Sequence, residues 1–310
     1  MKQKKVNFEK DYIHMFREFW HFIIHLRLHY QVLILSGGYL LGGLMADQMD
    51  PVRFGEQFLN VHILLFGGAT AYNSFWDKDT GPIGGLKFPP EMKPWMHKFS
   101  LLFMFLGWGF AAFTGPEYFI IYGLSLLFFW LYSTPHARWK GHPYLSLVAI
   151  GMSTGFNSVL LGFLAAGGVI SSIVLLCATG TAFILLSLYP VSQIYQVEED
   201  AKRGDQTFAI RYDIKGVKSF FVMTFFPGLI LLCSAMFQLY SIPAIVLFIT
   251  GLCSGFILWR LIFSLKGEEN EYSSVMRIKF FASFSFVFFL IMAISIRYGW
   301  ITALSFKEYF

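Results

Sequence analysis

Long apolar runs dominate the chain, and their length matches a bilayer. A membrane-spanning helix takes about twenty mainly apolar residues. Runs of that kind fall near 28–46, 57–76, 96–114, 118–134, 144–164, 169–194, 217–237, 241–264 and 278–297, which predicts nine transmembrane helices. Turn signals separate them, as Thr114-Gly115-Pro116-Glu117 does for the third and fourth runs and Gly167-Gly168 for the fifth and sixth. Ahead of the first run, His14, Arg17, His21, His25 and His29 alternate with Phe16, Phe19, Trp20 and Phe22, the pattern of an amphipathic helix lying at a membrane surface. The chain therefore divides into an N-terminal amphipathic cytoplasmic segment, 1–22, and a single helical domain, 23–310.

Composition supports the same solvent. Of 310 residues, 56% are hydrophobic and 14% charged, and a soluble domain of this size could not cover so much apolar surface with so few charges. The 37 Phe suit either lipid contact or the wall of an apolar cavity. Cys177, Cys233 and Cys253 sit in apolar runs with no Cys-x-x-Cys or nearby His spacing, so they predict packing rather than a disulfide framework or a zinc site. The charged and aromatic stretch after Met1 lacks the apolar run and small-residue cleavage site of a signal peptide, and none is expected.

Lys and Arg are distributed unevenly among the connections. They gather before the first run (Lys2, Lys4, Lys5, Lys10, Arg17) and in the second (Lys78, Lys87, Lys93, Lys98), fourth (Arg138, Lys140), sixth (Lys202, Arg203, Arg211, Lys215, Lys218) and eighth (Lys266, Arg277, Lys279) connections. The other face has only Arg53, Arg297 and Lys307. Cytoplasmic loops retain positive charge, so the N-terminus and the long polar loops are expected inside and the C-terminus outside, which requires an odd number of spans.

Candidate chemistry lies in those inside loops. His21, His25 and His29 recur every four residues, a spacing able to ligate a metal on one helix face, although polar-face histidines at a membrane surface are the commoner cause. The second run ends in Asn73-Ser-Phe-Trp76-Asp77-Lys-Asp79 followed by Gly and Pro residues. Asn73 and Asp77 are four apart and share a helix face, and oxygen ligands at a helix end suit a hard cation such as Mg²⁺ that completes its shell with phosphate and water. The sixth run ends in Tyr195-Gln196-Val-Glu198-Glu199-Asp200-Ala-Lys202-Arg203-Gly-Asp205-Gln-Thr207. Alone this is equally a solvated helix end; two acidic helix ends on one side of the membrane favour function. Between them lies Tyr132-Ser-Thr-Pro-His-Ala-Arg138-Trp-Lys140, whose cations suit forked and point contacts to phosphate.

At these residues the chain resembles the UbiA superfamily of intramembrane prenyltransferases, over nearly its whole length: an Asn-x-x-x-Asp first motif, a Tyr-Ser-x-Pro-x-x-Arg-x-Lys loop, and an acidic second motif leading into Gly-Asp-x-Thr. The resemblance implies an all-helical bundle around a central cavity, with the two acidic motifs facing each other beneath cytoplasmic cap loops and Mg²⁺ holding an isoprenoid diphosphate. Asn73 and Asp77 match the opening of the first motif and Asp200 the closing acid of the second. The chain departs from the pattern at Gly81, where the family often has another Asp, and at Gln196, where it often has an acid; Asp79 and Glu198 or Glu199 are the available substitutes.

The resulting candidates are Asp77 and Asp200 as catalytic groups; Asn73, Asp77, Asp79, Glu199, Asp200 and Asp205 as metal ligands; Lys87, Arg138, Lys140 and Lys202 as diphosphate-binding groups; and Trp76, Tyr132, Tyr195 and Gln196 in the substrate cavity. The expected reaction is Mg²⁺-dependent transfer of a prenyl group to a small-molecule acceptor, an aromatic ring of quinone or pigment biosynthesis. A terpene cyclase would share the ionisation step, and a transporter would place its charges near the midplane instead of at helix ends. The expected partners are the donor, the acceptor and the lipid bilayer, and not nucleic acid.

Overall fold

A computed structural model describes residues 2–79 and 81–300, with residues 2–13 described as backbone alone. Among the described residues the chain is helical throughout, without a strand. Helix α1 (Lys2–His25) is followed by Arg27 in the left-handed conformation, a single turn Leu28–Tyr30 and a π-helical stretch Gln31–Leu35, and then α2 (Gly37–Met45). Helix α3 (Pro51–Leu59) runs through a second π stretch, Asn60–Gly67, into α4 (Gly68–Asp77). Next come α5 (Pro94–Ala111), α6 (Pro116–Ser133), α7 (Pro143–Ala166) and α8 (Ser172–Leu188). A 3₁₀ segment Pro190–Gln196 leads to the short α9 (Val197–Lys202), and α10 (Phe208–Phe237), α11 (Ser241–Ser264) and α12 (Tyr272–Arg297) complete the bundle.

Local sequence explains the boundaries. Pro residues that need no backbone donor open α3, α5, α6 and α7. The Asp50 side chain caps α3 by accepting from the Val52 and Arg53 amides, and Ser171 caps α8 through Val174. Gly167, at φ 110°, supplies the left-handed residue that ends α7. Pro190 ends the regular α8 helix at Leu188, short of the 169–194 expected from apolarity.

A helix occupies each of the nine predicted stretches among the described residues. By length and composition five are able to cross a membrane, namely Pro143–Ala166, Ser172–Lys202, Phe208–Phe237, Ser241–Ser264 and Glu269–Arg297. A sixth is added if His14–Leu35 and Gly37–Met45, bent by 46°, count as one span. Helices α5 and α6 have 18 residues each and begin with polar turns, and the α3–α4 rod carries buried Gln57, Asn60 and His62. These three do not combine the same length and apolarity.

Packing is closest where glycines remove side chains. A Cβ on Gly162 would lie 1.9 Å from the Tyr39 carbonyl oxygen, and one on Gly42 would lie 2.1 Å from that of Val159, so α2 and α7 meet backbone to backbone. Helix α1 docks on α5 through Phe22, whose ring meets Trp95, Phe99 and Phe103, while Phe16, Phe19 and Trp20 stay exposed. Apolar side chains also cover the outer faces of α5, α6, α11 and α12, including Phe105, Ile120, Ile249 and Phe288. That surface suits lipid.

Candidate active site

One cavity of about 580 Å³ runs from the acidic helix ends into the apolar interior. Its mouth is built by three connections. At the end of α4, Asn73 and Asp77 share a face as their spacing requires, with Asn73 Nδ2 donating to Asp77 Oδ2 at 2.8 Å and Ser133 Oγ donating to Asn73 Oδ1 at 3.0 Å. Lys78 then takes the left-handed conformation, φ 52°, which ends the helix and leaves Asp79 on the cavity wall.

The second motif arrives from the opposite side. Asp200 lies on α9, and Gly204, at φ 79°, lets the chain fold back so that the Asp205 amide donates to the Asp200 carbonyl at 3.1 Å. The Gln206 amide donates to the Gly141 carbonyl at 2.8 Å, which joins this loop to the connection that carries Arg138 and Lys140. From that connection Lys140 contacts Asp77, and Arg138 holds Asp205 with both fork nitrogens, at 2.7 and 2.8 Å. Arg203 contacts both Asp79 and Asp200 and lies 3.7 Å from Asp205. Carboxylates and cations alternate across the mouth.

Burial pushes the Lys140 ammonium down to about 7; Arg203 pushes the same way, while Asp205, Asp200 and Glu199 pull it back. Its charge therefore depends on the anions around it.

Of the candidates from sequence, Asn73, Asp77, Asp79, Tyr132, Lys140, Tyr195, Gln196, Asp200 and Asp205 line this one cavity. Five do not. Lys87 is exposed beside Phe88, and Lys202 is 78% exposed, 3.9 Å from Glu198. Trp76 turns toward α5, its ring centroid 5.2 Å from that of His97. Glu199 stands behind Arg203 at 3.8 Å, and Arg138 is committed to Asp205 instead of being open to a phosphate. Helical phase accounts for Lys202: Arg203, not Lys202, follows Asp200 by three and Glu199 by four, so it shares their face.

Arg203 was thus available from spacing and was missed. Arg27 and Lys279 also line the cavity and carried no signal beyond their place at the starts of apolar runs. Tyr189, whose hydroxyl meets that of Tyr132 at 3.0 Å, gave none. The histidine row has a different use from metal binding: His25 Nε2 donates to the Pro90 carbonyl at 2.7 Å and His29 Nε2 to that of Gly85 at 3.0 Å. Cys177 and Cys233 are buried as packing residues, whereas Cys253 is exposed.

Among the described residues no three His, Cys, Asp or Glu side chains gather as a metal site. Lys140 and Arg203 stand between the carboxylates. The donors themselves fit a hard cation, because Asn73, Asp77, Asp79, Asp200 and Asp205 offer oxygen and neither sulfur nor imidazole joins them.

The sequence profile of the UbiA prenyltransferase family matches residues 40–290. Among solved structures, the chain is similar to a UbiA homologue from Archaeoglobus fulgidus bound to GPP and Mg²⁺, with a TM-score of 0.69 at 14% identity over 89% of this chain and 99% of that one. The same homologue bound to DMAPP and Mg²⁺ gives a TM-score of 0.66 at 15% identity over 88% and 99%. A digeranylgeranylglyceryl phosphate synthase structure gives 0.61 at 20% identity over 90% and 99%. No curated relative matches by sequence. At these identities the structural likeness is one of fold.

Proposed function

The chain belongs to the UbiA prenyltransferase family, and from that premise we propose that it transfers a prenyl group from an isoprenoid diphosphate to a small-molecule acceptor, expected to be aromatic, within the membrane. It is an integral membrane protein of that family. The observation that carries the reading is the meeting of Asp77 and Asp79 with Asp200 and Asp205, from distant stretches of sequence, at the mouth of an otherwise apolar cavity. Neighbours of the same fold with GPP or DMAPP and Mg²⁺ bound support it.

Asn73, Asp77, Asp79, Asp200 and Asp205 would hold Mg²⁺. When bound, the metal supplies positive charge against the negative charge that develops on the departing diphosphate. Lys140 and Arg203, already paired with these acids, exchange part of that contact for phosphate oxygens. Arg138 keeps Asp205 in place. The prenyl tail lies along Phe225, Leu229, Leu232 and Leu258, and this apolar lining excludes water from the allylic carbon once its bond to oxygen weakens. The rings of Tyr132 and Tyr195 offer π-faces to the developing cation. We further propose nine spans, counting α3–α4, α5 and α6 as crossings within the bundle, with the acidic mouth on the cytoplasmic side.

The test is to incubate purified protein in detergent with Mg²⁺ and prenyl diphosphates of several lengths, with and without membrane extract. Diphosphate release that requires the extract, with a product heavier by one prenyl unit, supports transfer. A cyclised product formed without extract replaces it with cyclisation, and the absence of release with every donor refutes prenyl transfer.

A further inference from the structure

The apolar arm of the cavity has a definite length and a closed end. Its lining runs from Asp77 to Phe66 along the α3–α4 rod, from Leu258 to Leu247 along α11 and from Lys279 to Phe289 along α12. At about 1.5 Å of rise per residue, each of these stretches spans about 15–17 Å. Asp77 stands at the acidic mouth, so the first stretch measures the depth below the diphosphate site directly.

One turn further on, the same helix faces leave the cavity. Met236 follows Leu232 by four on α10, Ala244 precedes Leu247 by three on α11, Ala293 follows Phe289 by four on α12, and His62 precedes Phe66 by four. Met236 and His62 are 0% exposed, Ala244 1% and Ala293 3%, and none of the four lines the cavity. The floor is therefore packed protein. Phe66 is held there edge-on to His62 at 5.4 Å and to Phe129 at 5.6 Å. The side wall is thinnest between α11 and α12, where Thr250 and Ser285 line the cavity and are exposed. Their hydroxyls donate to the Val246 and Phe281 carbonyls at 2.7 and 2.8 Å, so neither presents an unmet donor to a hydrocarbon chain.

We propose that this arm is a ruler for the donor, which carries three or four isoprene units as a farnesyl or geranylgeranyl diphosphate. This rests on the prenyl-transfer reading and names the chemical class of its first substrate. Each isoprene unit adds four main-chain carbons, about 5 Å at the advance per bond of an extended chain. Three extended units reach the floor, and four fit with bends. Two units leave the floor unfilled and forfeit van der Waals contact there, whereas a chain of nine meets Leu232, Leu247 and Phe289 with most of its length still outside. Gly251 marks an intermediate depth. It lies about 10 Å along α11 from Leu258, the reach of two units, and a Cβ added to it would lie 2.6 Å from Leu229 Cδ1.

The test uses full-length protein in detergent with Mg²⁺ and donors of two, three, four and nine isoprene units. Thermal unfolding measures binding of each donor at one concentration, and diphosphate release with membrane extract gives relative kcat/KM. Both should peak at three or four units, with kcat/KM for nine units about tenfold or more lower. Gly251→Leu should move the peak to two units, and Leu232→Ala should move it up by one. Opposite shifts in the two variants exclude a general loss of folding as their cause. Undiminished binding and turnover with nine units overturns the ruler and sends the tail out between α11 and α12 at Thr250 and Ser285. Equal stabilisation by all four donors or by none, a peak at two units in the wild type, or a peak that moves in neither variant also overturns it. No diphosphate release with any donor would remove the prenyl-transfer reading, while the unfolding series, which needs binding alone, would still decide the ruler.

Discussion

Replacing Arg203 by Gln separates the protein's own counter-charge from that of the metal. Arg203 contacts Asp79 and Asp200 and lies 3.7 Å from Asp205, and the Asp79 and Asp205 side chains are each 4% exposed. With Gln in its place and no metal, Asp79 loses its cation and the acids of the two motifs face one another. Removing one partner of a buried ion pair costs about 3–5 kcal/mol. Arg203 is itself 19% exposed, so the low end, about 3 kcal/mol, applies. For a chain of this length that corresponds to a fall in Tm on the order of 5 °C. Mg²⁺ restores a counter-charge to the same acids, and at about 100 times its Kd contributes about 2.7 kcal/mol. The assay is thermal unfolding in detergent for wild type and Arg203→Gln, each with EDTA and with excess Mg²⁺. The variant should fall well below wild type in EDTA and recover most of the difference in Mg²⁺, while diphosphate release stays impaired. An unchanged Tm in EDTA would show that Arg203 does not hold the two motifs together.

Asp77→Ala and Asp200→Ala should each abolish diphosphate release while membrane insertion and yield stay near wild type, as checked by radiolabelled donor and size-exclusion profile. Arg138→Ala should lower kcat by about tenfold or more through loss of the fork that fixes Asp205, with donor Kd nearly unchanged; a loss confined to donor Kd would make Arg138 a phosphate contact after all. Gly162→Ala should destabilise by about 1–3 kcal/mol by forcing α2 and α7 apart, whereas Gly109→Ala, with no atom within 4 Å of the added carbon, should be neutral or gain up to about 1 kcal/mol. Unfolding curves of the two variants read the contrast directly.

The helical plan was legible because apolar runs of bilayer length leave few alternatives, and the first acidic motif was legible because residues four apart share a helix face. The second motif shows where such reading fails. Asp200 could be placed by its distance from Gly204, yet Lys202 and Arg203 are adjacent, and only the phase of a helix six residues long decides which turns inward. Arg138 and Lys140 both belong to a basic loop, and nothing in the chain's order reveals that one is bound by Asp205 while the other reaches Asp77. Arg27 and Lys279 come from opposite ends of the sequence. Their common neighbour Tyr30 exists only in three dimensions. The period-four histidine row allowed ligation but more commonly marks a polar interfacial face; here His25 and His29 meet the carbonyls of Pro90 and Gly85.

The shared family core begins at residue 40, but the working cavity does not. Arg27 and Tyr30 line it, and His25, Arg27 and His29 grip the loop that follows Asp79. A version of this protein trimmed to the core would keep most of its helices yet lose part of one wall and the side chains that hold the loop after Asp79. The stretch ahead of the profile match therefore shapes the pocket directly, and substitutions there belong in any test of substrate choice as much as those at the acidic motifs.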